Sequence, residues 1–535
     1  MPDLAALYRA TGGAAWVRNR GWLSGAPCDG PQPWYGLSCA GRDVVAIDLA
    51  RNGLRGTIPE VLGAMATLNH SIILESNDIS GTIPSELGAL SALAGALALS
   101  YTALSGTIPS TLGALTALSL TFGLEVGSLS GTIPSEIGGL SGLGRKLGLG
   151  GTALSGTIPS ELGSLTGLTQ EFDVGATALS GTIPSTLGAL TKLAQNIAFG
   201  VTRLSGTIPS ELGKLTALAT GFFLGYTSVA GYIPSQIGAL SLLQEISMGS
   251  TSLSGSTEPL LEPTTSPNPP LPRPHLPTHL RFRCQECLAC HTRASRGPCT
   301  GIPTEFGQLT SLAVGLDLDT TPISGTVPSE LGLLADFSGG LYLGVTSLSG
   351  WIPTQLGQLT AIREYLYLSF TDISGTIPSE LGKLTAMRKA LSLGHMRYSG
   401  FIPSEFGKLT ALSSLGVASP KGPVTLSGTI PTTLGRLTSL STTLLLGSGT
   451  VISGSIPTQF ASFADLSLLS LPNMLLHYPK RPSEARALAL ATRRCGGAPT
   501  VCLGLPPASC TACAHPGIER ATLPVQSPCG SLVCG

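Results

Sequence analysis

An α/β solenoid is the fold this sequence predicts: about fifteen short coils stacked so that their strands form one curved parallel sheet, with 3-10 or irregular return arms on the convex side. Three observations lead there. Prolines recur every 25 residues, from Pro59 through Pro84, Pro109, Pro134, Pro159, Pro184 and Pro209 to Pro234. The beat returns from Pro303 through Pro328, Pro353 and Pro378 to Pro403, then loosens at Pro431 and Pro457. An Ile or Val precedes each of these prolines, mostly inside a G-x-[IV]-P group, within a longer phrase such as the one from Ile79 to Leu93. Leucines alternate with small residues before that phrase and recur at every third place after it. Proteins built this way work by offering a long surface, not by holding a catalytic pocket.

The unit from Leu93 to Leu118 explains the coil. Leu97 and Leu99 alternate with Ala96, Ala98 and Ser100, the period-2 pattern of a short strand with one buried face. Gly106 then permits a turn that other residues resist. Ile108 and Pro109 open a return arm, where the fixed φ and missing donor of proline suit a 3-10-like path. Leu112, Leu115 and Leu118 follow at a spacing of three and face inward. One coil cannot bury these leucines alone. Stacked at the roughly 4.8 Å spacing of neighbouring strands, about fifteen coils give a sheet on the order of 70 Å along its arc. Burial of the leucine columns, at about 25 cal/mol per Å², is the main source of stability.

Composition removes some function classes. The 535 residues carry 30 Lys+Arg against 30 Asp+Glu, and only 11 % are charged, so no basic footprint for nucleic acid exists. No apolar run is long enough to span a membrane. The opening residues, MPDLAALYRATGGAAW, lack the basic and apolar regions of a secretory signal, so either the chain is cytoplasmic or its true start lies upstream. No P-loop, GxSxG or His-centred constellation appears, and no cofactor is expected.

The repeated phrase resembles the plant-type leucine-rich repeat, L-x-x-L-x-x-L-x-L-x-x-N-x-L-S-G-x-I-P-x-x-L-G-x, over roughly residues 43–255 and 301–470. Such arrays occur in receptor-kinase ectodomains and in secreted wall-associated inhibitors. Residues 1–42, with Trp16, Trp22 and Trp34, look like that family's N-terminal cap; the resemblance implies a horseshoe fold, a Cys28–Cys39 disulfide and a cap over the first coil. Two departures stand out. The family's ladder asparagine survives at Asn52 and Asn77, after which the place holds Thr102, Thr152, Thr177, Thr202, Thr227, Thr251, Thr321, Thr346, Thr371 and Thr450. A threonine ladder is expected, its hydroxyls bonding to neighbouring loops. Most repeats also have 25 residues where the family has 24, the extra one falling between the return arm and the next strand, which is expected to alter the curvature slightly.

Two segments break the array. Pro234 to Pro303 is 69 residues, one period of 25 plus 44, so residues 256–300 split a single coil between its turn and its return arm. Their Pro-rich, patternless composition reads as a disordered loop. Cys287, Cys290 and His291 also have the spacing of haem attachment, and Cys284, Cys287, Cys290, His291 and Cys299 offer enough ligands for zinc. The tail, 471–535, carries six cysteines whose pairing is not deducible.

The candidate ligand surface is the concave face. Much of it is small: Ala96, Ala98, Gly148, Gly150, Ala198 and Gly344. Against these stand Tyr101, Phe223, Tyr226, Tyr342, Tyr365, Tyr367 and Phe370, side chains of the kind that anchor interfaces or stack on sugars. Tyr342, Tyr365, Tyr367 and Phe370 should cluster on adjacent coils, joined by Phe223 and Tyr226 only if the insert leaves the stacking intact. Acidic residues lie among them at Glu125, Glu171, Asp173, Asp317 and Asp319, either solvating the face or binding cations; His395 reads as a lone structural histidine. The expected function is non-enzymatic recognition of a protein, peptide or glycan, with two alternatives: a structural or adhesive role without a discrete ligand, and metal binding through the insert. Cys28/Cys39 and the sequon at Asn69 point to an extracellular or cell-surface setting.

Overall fold

The computed structural model describes residues 2–29, 33–255, 301–417, 425–446, 451–452, 456–463, 466–470 and 500–502. Its inner sheet has 18 strands. The first, Leu37–Ala40, runs antiparallel to Asp43–Asp48. All later neighbours are parallel, coil upon coil, to Leu468–Ser470 and a last strand at Thr500–Cys502. Register places Ile47, Ile72, Leu97, Phe122, Leu147, Phe172, Ile197 and Phe222 side by side, all buried. These columns are the core the sequence anticipates.

Each coil then makes a short outer strand and a return arm. Ala103–Gly106 belongs to a 7-stranded outer ladder in the first block. Gly106 takes φ 77°, the left-handed region. Pro109, at φ −64°, caps a five-residue 3-10 helix, Ser110–Ala114. Amides of Leu112, Leu115 and Leu118 donate in turn to the carbonyls of Pro109, Leu112 and Leu115, at 3.1, 3.2 and 3.0 Å. The leucine spacing of three is thus the three-residue turn of a 3-10 path, which keeps one face inward. Gly113 is required for another reason: a Cβ there would lie 2.2 Å from the Glu136 carbonyl oxygen of the next arm.

The extra residue sits where the sequence places it, and the backbone shows how. Arg145 and Lys146 both donate to the Leu120 carbonyl, at 3.0 and 3.1 Å; Gln195 and Asn196 both donate to Gln170, at 3.0 Å each. Two residues facing one is a β-bulge, stacked here from coil to coil. The 24-residue step from Phe222 to Ile246 lacks it: Gln244 and Glu245 donate separately to Ala219 and Thr220.

The threonine ladder is corrected. Asn77 does bridge coils, its Oδ1 accepting from the Asn52 and Leu54 amides at 2.9 and 3.0 Å while its Nδ2 donates to Leu49 at 2.9 Å. Thr102, Thr152, Thr177 and Thr202 instead donate to the carbonyl three residues back, in their own coil, each at 2.8 Å. Thr321, Thr346 and Thr371 do the same. A hydroxyl has one proton and a shorter reach than an amide, so it staples its own turn. Between coils, the amide of the residue just before this position bridges in the asparagine and threonine coils alike: Ser76 donates to Ser100 at 2.9 Å, Tyr101 to Glu125 at 2.7 Å, Val201 to Gly225 at 2.8 Å. Those residues hold left-handed φ, 58° at Tyr101 and 57° at Val201. Thr450 lies outside the described residues.

At the N-terminal end, helix Pro2–Ala10 buries Leu4 and Leu7, and Tyr8, Trp16, Trp22 and Trp34 pack ring against ring. Cys28 and Cys39 are bonded, and the Thr11 carbonyl accepts from the Arg55 amide of the first coil at 3.0 Å. The cap therefore closes the stack as expected.

The array also closes over the insert. Glu245–Ser247 pairs directly with Gly315–Asp317. Gly255 and Gly301 abut; a Cβ on Gly255 would lie 2.5 Å from the Gly301 Cα. Cys284, Cys287, Cys290, His291 and Cys299, with the haem and zinc readings, lie outside the described residues.

Replacing Val201 by Asn relieves about 1 kcal/mol of left-handed strain on a β-branched residue and raises the unfolding midpoint. Leu187→Ala, in the leucine column, lowers stability by about 2–5 kcal/mol. Denaturant unfolding followed by circular dichroism measures both.

Candidate ligand-binding face

Outward-facing strand residues form continuous rows along the concave sheet because register carries each onto its counterpart. One row reads Ala198, Phe223, Ser247, Asp317, Tyr342, Tyr367, Ser392. Phe223 thus shares a row with the tyrosines, across the point where the insert leaves. A neighbouring row contains Lys146, Glu171, Asn196, Gly221, Glu245, Gly315, Gly340 and Tyr365.

Tyr101, Tyr226 and Phe370 are not on the strands. They occupy the left-handed turn position just beyond, at φ 58°, 58° and 62°, and are 57 %, 69 % and 43 % exposed. They form a rim to the face, and Tyr101 stands five coils away from Tyr226. Phe370 stacks on His395, centroids 3.8 Å apart and planes within 14°, so His395 is part of this rim. Tyr342 and Tyr365 meet at 5.6 Å. The glycines between are the floor on which rings lie flat: a Cβ at Gly340 would come within 2.3 Å of the Tyr342 ring, and one at Gly344 within 2.3 Å of Tyr367.

The acidic residues form two groups. Lys146 Nζ lies 2.6 Å from Glu125 Oε1 and 2.8 Å from Glu171 Oε2, all three largely shielded. Burial works against the lysine's charge, but the two carboxylates outweigh it and raise its pKa. Ser100 Oγ donates to Glu125 at 3.0 Å, and the Gly175 amide donates to Asp173 at 2.9 Å. Asp173 is pushed up to about 6, first by burial and then by Glu171 and Glu125. Donor atoms of Glu125, Glu171 and Asp173 lie within 4.8 Å of one another, a spacing that suits a cation, and the ammonium of Lys146 already fills that role. Lys146 was missed by residue-type reasoning; its signal is the 25-residue step to Glu171.

The second group is Glu245, Asp317 and Asp319. Ser247 Oγ donates to Asp317 at 3.4 Å, and the Asp319 amide donates to Asp317 Oδ1 at 3.1 Å. Asp319 is pushed up to about 6, by burial first and by the neighbouring Asp317 next; Glu245 moves up from the same two causes. Burial and then Glu364 push Tyr342 up to about 12. Away from the face, Asn69 is exposed between the first return arm and its following strand. Among the described residues no helix is long and apolar enough to cross a membrane.

The Leucine Rich Repeat family model matches residues 364–384. No curated protein matches the chain. Among solved structures, the ectodomain of the plant membrane receptor kinase GASSHO1/SCHENGEN3 from Arabidopsis thaliana, in complex with CASPARIAN STRIP INTEGRITY FACTOR 2, is similar at 26 % identity and TM-score 0.59. That match covers 79 % of this chain but only 46 % of the ectodomain, so the present chain spans less than half its length. The plant peptide hormone receptor RGFR1, in complex with RGF2, matches at 24 % identity and TM-score 0.65, over 88 % of this chain and 71 % of that one. The Arabidopsis receptor kinase HAESA, in complex with IDA and SERK1, matches at 24 % and 0.55, over 89 % and 82 %. The fold is a leucine-rich-repeat horseshoe of the kind seen in plant receptor-kinase ectodomains.

The folded chain holds the Asp173 proton to about pH 6, whereas an ordinary aspartate releases it near 3.8. Stability therefore falls as pH rises through that window, and Asp173→Asn should restore about 1–2 kcal/mol above pH 6, allowing for solvent screening. Lys146→Met leaves Glu125 and Glu171 unneutralised and should cost about 3 kcal/mol. Urea titrations across pH 4 to 7 check both.

Proposed function

We propose that the chain is a non-catalytic recognition protein, extracellular or displayed at a cell surface, that binds a protein, peptide or glycan on its concave sheet. One observation carries this reading: Tyr342, Tyr365 and Tyr367, with the Phe370–His395 stack, gather on consecutive coils of a rigid sheet that no other described part of the chain covers. Aromatic side chains held flat by a fixed backbone have little conformational freedom to lose on binding, which makes them effective anchors. Similarity to a receptor-kinase ectodomain solved with its partner supports a recognition role. The Cys28–Cys39 disulfide and the exposed Asn69 support an oxidising, glycosylating compartment.

A structural or adhesive role draws on a different observation. In the first block the row beside the aromatic rim is largely glycine, at Gly150, Gly175, Gly200 and Gly225. That part of the face offers little to grip and suits a spacer.

The test is a screen of displayed random peptides and arrayed glycans against the purified chain. Binders should lose about 2 kcal/mol or more with Tyr365→Ala, and also weaken with Phe370→Ala, by titration calorimetry. Binding indifferent to both substitutions overturns the assignment to this face.

A further inference from the structure

The two acidic groups differ in one respect that points to a ligand. Glu125 and Glu171 have their counter-charge built in, at Lys146. Asp317 and Asp319 lean back together over Gly249, whose missing side chain makes the room: a Cβ there would lie 2.6 Å from Asp317 Oδ1 and 2.8 Å from Asp319 Oδ1. Glu245, one coil earlier, adds a third carboxylate. Among the described residues, none of these three carboxylates takes part in an ion pair. On the other side, Tyr342 is the register partner of Asp317, and Tyr365 packs beside it at 5.6 Å. An unneutralised acidic strip therefore runs directly into a platform of rings.

Building on the concave-face reading, we propose that this stretch is the docking surface for an extended cationic peptide. An arginine or lysine side chain sits among Asp317, Asp319 and Glu245, and the residues beside it lie across Tyr342, Tyr365 and Tyr367. Charge complementarity selects this occupant. A guanidinium donates to several carboxylate oxygens at once and also lies favourably on an aromatic face, so one side chain satisfies both parts of the surface. A neutral glycan would leave the carboxylates without a counter-charge. A bare metal ion fits less well, because tight convergence of donor atoms occurs at Glu125, Glu171 and Asp173, where Lys146 stands. Strands about 4.8 Å apart put Asp317 and Tyr367, two coils on, at about 10 Å; that is about three residues of extended chain. The peptide should therefore carry its basic residue about three places from an apolar or aromatic one, by the same spacing.

Random peptides displayed for selection on the whole chain are the probe. Selected sequences should be enriched in arginine or lysine. A synthetic copy of the best binder should weaken at least tenfold when its arginine is replaced by citrulline. It should weaken by a similar factor with the double substitution Asp317→Asn and Asp319→Asn, and it should weaken as salt is raised. That double variant removes a like-charge contact, so folding is not at risk, and circular dichroism checks it. Glu161→Gln, on an exposed return arm, should change nothing. Selected peptides that lack basic residues yet depend on Tyr365 overturn this inference and leave the concave-face reading standing. Peptides indifferent to both the aspartates and the tyrosines overturn both. Calcium binding abolished by the double variant, with no preference for basic peptides, also overturns the cationic-peptide assignment.

Discussion

Coils in this molecule lie one strand spacing apart along their whole perimeter, and that closeness governs nearly every residue choice. On the inner side it permits the parallel ladder that aligns Ile47, Ile72, Leu97 and their successors. On the return side it excludes a Cβ at Gly113, and equally at Gly163 and Gly188, where the next arm's carbonyl oxygen would lie within 2.5 Å. At the turn, the amide of a left-handed residue reaches the next coil, as Tyr101 reaches Glu125. This backbone contact is made ahead of Asn52 and Asn77 as well as ahead of the threonines, so it holds neighbouring coils together whichever side chain follows it. Asparagine adds a second bridge between coils, and threonine only fastens its own turn.

The same closeness explains how a face rich in small residues can hold a binding surface. Several large side chains lie down over a glycine that leaves them room. Tyr342 over Gly340 and Phe223 over Gly221 follow this arrangement. Asp317 and Asp319 use Gly249 in the same manner. Concave side chains are therefore positioned by what is absent two residues back on their own strand, as at Gly340 and Gly221, or on the coil before, as at Gly249.

Much of this was legible in the sequence. Strict period, the G-x-[IV]-P phrase and leucine spacing were enough for the solenoid, because each is a local pattern repeated many times; the cap and the extra residue came from the resemblance to the plant-type repeat. The clustering of Tyr342 and Tyr365 followed from period alone. What was not legible depends on backbone angle or on reach. Tyr101, Tyr226 and Phe370 read as part of the concave face, but the strand ends before them and a positive φ turns them to the rim. The Lys146 bridge joins residues 21 and 25 positions away, one of them outside its own row, which no single-repeat reading connects. The direction of a threonine hydroxyl cannot be read from its column.

Gly255 and Gly301 touch, although 45 residues separate them in the chain. Because a loop's ends are already together there, its length enters the folding balance only through a slowly growing logarithm. The horseshoe thus has a doorway on its side, through which sequence can be added or withdrawn while strands on either side keep their register. The inner lining is continuous across that doorway, so repeat proteins of this design can acquire appendages without surrendering the surface they already use.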